Sequence, residues 1–205
     1  MCGPLGLKQE HASEEIFPVQ PLDFEAVFGR RAPVEIDLGC GDGSYLAQIC
    51  AAAPERNFVG IERLVGRVRS ACFKVRQLPQ PNVRLIRIDT RLALRELILP
   101  GTVDAFHIMF PDPWPKRRHH SRRLINREFL ELLHRALVAG GTVKIATDDE
   151  DYFRAISAAI AEVPTLFARE QEDRSLGAVS TFEKRYRDEG LPIHRLRLRK
   201  VTPGT

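Results

Sequence analysis

Three successive apolar runs in this 205-residue chain each close on a carboxylate. The runs are "VEID", "NFVGIE" and "NVRLIRID", and the acids are Asp37, Glu62 and Asp89. Asp37 leads directly into "LGCGDG", where Gly39, Gly41 and Gly43 mark a strand-to-helix turn. Glycine is needed where a backbone must turn sharply and let a ligand approach without a Cβ. The spacing is GxGxG and not the GxGxxG of dinucleotide sites. Ligands of open α/β sheets bind beyond the carboxyl ends of the strands. An acid ending the second strand is placed to accept two hydrogen bonds from a ribose diol, and Asp89 to meet an adenine amino group. Asp37 suits the ammonium of an amino-acid tail. For Asp89 the alternative is plain capping of the helix that begins at "TRLALRE". No basic or glycine cradle for a pyrophosphate accompanies these groups. The expected cofactor is therefore S-adenosylmethionine, an adenosine carrying a cationic amino-acid tail.

A second constellation is "FPDPWPKRRHHSRR", Phe110 to Arg123. Prolines on either side of Asp112 restrict the backbone and remove two amide donors. Such a corner after a fourth strand stands where the acceptor of a transferred group must lie. The alternative is a loop made rigid for stability, with Trp114 as a packing anchor. Lys116, Arg117, Arg118, His119, His120, Arg122 and Arg123 follow at once, and no acid intervenes between Asp112 and Glu128. A solvated helix face usually intersperses acids with its bases. An unbroken basic block beside a rigid acidic corner is suited to gripping phosphates, and so to a large nucleic acid.

The elements that must carry these residues follow from periodicity. "PVEIDLG", "NFVGIE", "NVRLIRID", "TVDAFHIMF" and "GTVKIATD" read as strands. The helices between and after them are expected in "GSYLAQICAAAP", over 64–77, in "TRLALRELIL", in "INREFLELLHRALVAGG" with a glycine cap at Gly140-Gly141, and in "EDYFRAISAAIAEV". Strands alternating with helices of this length predict an α/β fold with a doubly wound, mostly parallel, Rossmann-like sheet. After Pro164, "TLFARE" reads as a strand, "TFEKRYRDEG" as a short helix and "IHRLRLRKV" as a final antiparallel strand. Arg195, Arg197 and Arg199 share one face of that strand, either solvated or in contact with RNA. His107 in the fourth strand reads as a core histidine. Residues 1–32 are expected to be an N-terminal arm with a helical turn near Phe24 to Phe28, and 33–205 one domain.

Hydrophobic residues make up 43% and charged residues 28%, with a net charge of +4, as in ordinary globular proteins. Cys2, Cys40, Cys50 and Cys72 show no metal-ligand spacing, which suits isolated thiols in a reducing compartment. With neither an apolar leader nor a membrane-length run, the expectation is a cytoplasmic protein that needs no metal and no membrane, as a monomer or homodimer.

The glycine turn and "GIE" resemble the class I methyltransferases. The stretch "FPDPWPKRRHHSRRLINREFL" resembles the bacterial tRNA (guanine-N7)-methyltransferases. The resemblance covers about residues 33–199 and takes in Thr147-Asp148 and the element Ser180-Thr181-Phe182-Glu183. It implies methyl transfer from S-adenosylmethionine to N7 of guanine-46 in the tRNA variable loop. It also implies that Asp37, Gly39, Gly41, Glu62, Asp89 and Asp112 hold the cofactor, with Asp112 also catalytic. Lys116, Asp148 and residues Ser180 to Glu183 would bind substrate, and Arg122 and Arg123 would hold tRNA phosphates. Asp37 stands where that family often has Glu, and Ser180 where Thr is commoner. Because N7 carries a free lone pair, the displacement needs no general base. Three other readings stay open: a methyltransferase for another substrate, a non-catalytic RNA-binding protein on this fold, and an NAD-dependent oxidoreductase, which the GxGxG spacing disfavours.

Overall fold

The computed structural model describes residues 20–78, 82–170 and 181–202. Seven strands run in the order β3-β2-β1-β4-β5-β7-β6. The chain divides into two compact units, one ending at Leu99 and the other beginning at Pro100.

In the first unit, β1 (Val34–Leu38), β2 (Asn57–Glu62) and β3 (Val83–Arg87) are parallel, with Asp37 beside Gly60 and Glu62 beside Arg87. Every residue of β1 and β2 is buried, although β1 alternates apolar residues with Glu35 and Asp37. Helices α2 (Ser44–Ala52) and α3 (Val65–Val75) place Leu46, Cys50, Ala71 and Val75 against Phe58, Val83 and Leu85. Cys40 and Cys50 are buried free thiols and Cys72 a half-buried one; Cys2 lies outside the described residues. Helix α1 (Phe24–Phe28) falls where a helical turn was expected, capped by the Asp23 carboxylate and closed by Gly29. Leu22 and Phe24 are buried, and the Leu22 amide donates to the Leu97 carbonyl at 2.8 Å.

The helix expected in "TRLALRELIL" is shorter and wider than its pattern suggests. Only Thr90–Leu92 is α-helical (α4), and Ala93–Leu97 widens into a π-turn in which the Ile98 amide reaches the Ala93 carbonyl at 3.1 Å. The wider turn leaves Ala93, Leu94, Leu97 and Ile98 in the core.

In the second unit, β4 (Val103–Met109) is parallel to β5 (Leu137–Thr147). The final strand β7 (His194–Lys200) is antiparallel to both β5 and β6 (Phe167–Glu170). Helices α5 (Arg127–Ala136), α6 (Glu150–Ala161) and α7 (Thr181–Asp188) complete it. Helix α5 ends four residues before the expected glycine cap. Leu137 is already extended and fully buried in β5, opposite Val103. Gly140 (φ +70°) instead serves the irregularity at which the register moves from Val103–Leu137 to Ala105–Thr142. A Cβ on Gly141 would lie 3.1 Å from the Asp104 carbonyl oxygen.

Among the described residues, no helix is long and apolar enough to cross a membrane.

Candidate active site

In the first unit the glycine turn is tied to the end of β2. The Gly39 and Cys40 amides donate to the Ile61 carbonyl at 2.8 and 3.0 Å, and the Gly41 amide donates to Glu62 Oε2 at 3.2 Å. Gly39 and Gly41 have φ of +77° and +56°, and a Cβ on Gly39 would meet nothing within 4 Å. The turn is therefore open on that side, and glycine is required by the backbone angle. Gly43 is different. Its Cβ would fall 2.7 Å from Ala71 Cβ, so this glycine lets α2 and α3 approach.

The three strand-end acids occupy three different electrostatic situations. Glu62 is 5% exposed and held by three amides: Oε1 accepts from the Arg63 and Leu64 amides at 2.8 and 2.9 Å, while Oε2 takes Gly41 and lies 3.9 Å from Arg67. Asp89 caps α4, its Oδ1 accepting from Arg91 and Leu92. The capping alternative is thus realised for this residue. Asp37 is 2% exposed, and its Oδ2 is buried without a hydrogen-bond partner. Burial, and secondarily the charge of Glu62, push its carboxyl up to about 8. A buried oxygen with no donor, next to an open turn, is a receptor for a cation or a donor group. Asp42, inside the turn, is held by Lys74 of α3 at 2.5 Å and by the Ser44 amide at 3.1 Å. Nothing in the sequence pattern singled out Lys74, because its partner lies 32 residues away.

In the second unit the proline corner leaves β4 through Phe110, whose amide donates to the Ala146 carbonyl at 2.8 Å. Phe110 (φ +55°) and Trp114 (φ +47°) are the non-glycine residues with positive φ among those described, and they bracket Asp112. Left-handed backbone at two aromatic residues is strained and persists only where surrounding contacts enforce it. Those contacts are visible. The Trp114 ring carries the Arg122 guanidinium at 5.0 Å and the edge of His119 at 5.8 Å. Arg123 donates to the Pro113 carbonyl at 2.8 Å and to Asp151 Oδ2 at 2.6 Å, above the Tyr152 ring.

The basic block, expected to be a uniform phosphate grip, is divided by this arrangement. It folds as a 3-10 helix over Arg117–Arg122, with Lys116, Arg117, Arg118 and Arg122 exposed. Arg123 is 6% exposed and faces inward. It braces the corner, and burial removes it from the surface that phosphates could reach. Asp112 is exposed.

Asp148 follows β5 and is half-buried, and the Tyr186 phenol is held above its ordinary range first by burial and then by Asp148. Its neighbour Asp149 caps α6 through the Tyr152 amide at 2.6 Å. Thr181 and Phe182 open α7 and are exposed, whereas Ser180 lies outside the described residues. Glu183 is 3% exposed and forms ion pairs with both Arg187 and Arg195. It anchors α7 to β7. Arg197 and Arg199 pair with Glu170, so the arginines of β7 are committed to carboxylates. His107 is fully buried within β4 and is not without a partner. Tyr186 went unnoticed in the sequence, although its spacing of four from Phe182 on one helix was a usable signal. Among the described residues, no cluster of three or more His, Cys, Asp or Glu side chains could hold a metal ion.

Residues 31–196 match the family model Methyltransf_4, described as "Putative methyltransferase". A tRNA (guanine-N(7)-)-methyltransferase of Thermotoga maritima is 36% identical over 92% of this chain and 61% of its own length. One from Nitrosomonas eutropha is 40% identical over 70% of this chain and 67% of its own. The chain thus spans about two thirds of the curated relatives it matches. In fold it is similar to the 16S rRNA methyltransferase KamB, with a TM-score of 0.60 at 16% identity, covering 88% of this chain and 93% of that one. The mostly parallel sheet with its antiparallel strand β7, the acid-and-glycine turn and the family match together assign the chain to the Methyltransf_4 methyltransferase family.

Proposed function

We propose that this chain transfers a methyl group from S-adenosylmethionine to N7 of a guanine in tRNA, the variable-loop guanine-46. The observation that carries the reading is the partnerless, buried Asp37 oxygen beside an open glycine turn. It fits the ammonium of that cofactor and offers nothing to a pyrophosphate. The acceptor is suggested by the names of the relatives and by the exposed bases that follow Asp112.

When bound, the cofactor supplies a sulfonium methyl to the N7 lone pair by direct displacement. No proton leaves N7, so no side chain has to act as a base. Asp37 neutralises the ammonium, and the Gly39 to Gly41 backbone lets the amino-acid tail approach. Glu62 meets the ribose diol while holding the turn in shape, and the second oxygen of Asp89 meets the adenine. Asp112 and Asp148 accept from guanine N1 and N2, which selects guanine over adenine. Thr181 and Phe182 line the acceptor side, while Glu183 acts through Arg187 and Arg195. Lys116, Arg117, Arg118 and Arg122 grip phosphates.

The test is transfer of labelled methyl to unmodified tRNA, with the same tRNA carrying adenine at position 46 as control. Label on the first alone, recovered as N7-methylguanosine, is the expected result. Label on both would overturn the site, and label on neither would overturn the tRNA substrate.

A further inference from the structure

Helix α3 lies in a run of positive charge that the proposed chemistry does not use. From Arg63 to Ile88 the sequence holds seven bases and no acid. Helices α5, α6 and α7 balance their own charges: Arg127 pairs with Glu131 at 2.9 Å, Arg154 with Glu150 at 2.9 Å and Arg185 with Glu189 at 2.8 Å. Pairs four residues apart are the ordinary way in which an exposed helix steadies its bases. Helix α3 has no acid with which to do so. Two of its bases are met from outside, Arg67 by Glu62 at 3.9 Å and Lys74 by Asp42 at 2.5 Å. Arg69 and Arg76 stay exposed.

An aromatic ring stands between these two arginines. Ala71 and Val75 turn the core side of α3 inward. The other side presents Val65, Arg69, Phe73 and Arg76, spaced by four, four and three, as one outward stripe. Phe73 is 69% exposed, the most exposed large hydrophobic side chain among the described residues. A lone apolar residue on a surface needs no explanation. A phenyl ring with an arginine one turn to either side, on a helix without acids, does need one. About 10 Å of helix axis separates Arg69 from Arg76. Beside the stripe, a Cβ on Gly66 would meet nothing within 4 Å, so the approach is open.

We propose that this stripe is an RNA-contact surface of the first unit, with Phe73 stacking an unpaired base of tRNA and Arg69 and Arg76 holding phosphates to either side. The inference deepens the proposed function and rests on its tRNA substrate. A polyanion complements a face whose uncompensated charges are all positive. The ring narrows the choice to a single-stranded segment, because unpaired bases can stack on aromatic side chains and every base offers a π-face. A second copy of the chain meeting this face across a two-fold axis would set arginine against arginine, which disfavours it as the occupant.

The test is tRNA binding by the whole chain across a salt series, with Arg69→Ala, Phe73→Ala, Phe73→Leu and Phe73→Trp. Arg69→Ala should lower the slope of log K against log salt by about 0.7 to 0.9. Phe73→Ala and Phe73→Leu should both weaken binding roughly tenfold, the effect of losing one stacked base, and keep the slope. Phe73→Trp should bind at least as tightly as the wild type. Affinity for S-adenosylhomocysteine and the sedimentation coefficient should stay the same in every variant. A Phe73→Leu protein that binds like the wild type would overturn the inference, as would an unaltered slope in Arg69→Ala. A changed oligomeric state in a Phe73 variant would overturn it in favour of a second copy. Wild-type protein that binds tRNA but transfers no methyl would remove the proposed reaction and leave the variants to decide on α3. Methyl transfer by the wild type, with binding unaltered in every variant, would remove the α3 surface alone. A wild type without affinity for tRNA would overturn both.

Discussion

Asp37→Asn should make the ligand-free protein more stable at alkaline pH while abolishing cofactor binding. The Asp37 carboxyl titrates near 8 in the folded chain against an ordinary value of 3.8, chiefly because burial penalises the charge. A raised acid favours folding at low pH, and that advantage disappears as pH rises from the unfolded value through the folded one. Between about pH 4 and 8 the wild-type protein therefore loses stability from this site. The loss reaches on the order of 5 kcal/mol once the group is ionised in both states. Asparagine cannot ionise, but it leaves a buried amide poorly satisfied, which costs about 1–3 kcal/mol. The two proteins should match near pH 5, where the two effects are similar in size. By pH 8 the variant should lead by about 2–4 kcal/mol, or roughly 5–15 °C in Tm for a chain of this length. Thermal unfolding from pH 5 to 9 without ligand measures this directly. Calorimetry with S-adenosylhomocysteine supplies the other half: the wild type should release a proton on binding below pH 8, and the variant should bind far more weakly. Parallel Tm curves across the whole range would refute the burial argument. Undiminished binding by the variant would refute the assignment of Asp37 to the ammonium.

Arg122→Ala should reduce the slope of log K against log salt for tRNA binding by about 1 and leave Tm unchanged, because its guanidinium lies exposed on Trp114. Arg123→Ala should do the reverse, keeping the salt slope and losing about 2 kcal/mol in urea unfolding, because Arg123 is buried against the Pro113 carbonyl. Swapped outcomes for these neighbours would undo the division of the basic block. Gly43→Ala should destabilise the protein by about 3 kcal/mol in urea. It combines a φ of +76° with a new Cβ 2.7 Å from that of Ala71. A loss under about 1 kcal/mol would mean that α2 and α3 yield more easily than their contact suggests.

The parts of the fold legible in the sequence were those governed by local periodicity. The buried runs of β1 and β2, the alternation of β7 and the turn at Phe24 to Phe28 follow from residue order alone. Departures came where distant partners decided. "LALREL" has the composition and spacing of an α-helix, yet Ala93–Leu97 is wound as a π-turn, and nothing in the residue order distinguishes the two. Gly140 reads equally well as a helix cap or as an irregularity in a strand, and Leu137, buried opposite Val103, settled it as the latter.

The candidate site follows the same rule more severely. Asp37, Glu62 and Asp89 are equivalent in the sequence, each an acid at the end of a strand. They differ because three amides from two separate segments hold Glu62, two from the next helix occupy one oxygen of Asp89, and none reaches Asp37 Oδ2. Likewise Arg122 and Arg123 are adjacent, and only the end of a 3-10 helix turns one outward and the other toward Asp151, 28 residues away. Residue type and spacing therefore identify which groups can do chemistry. Which of them is free to do it depends on how many donors the fold has already spent on each, and that is a property of contacts distant in sequence. The acid left without a donor and the bases left in solvent are the ones on which the proposed chemistry depends.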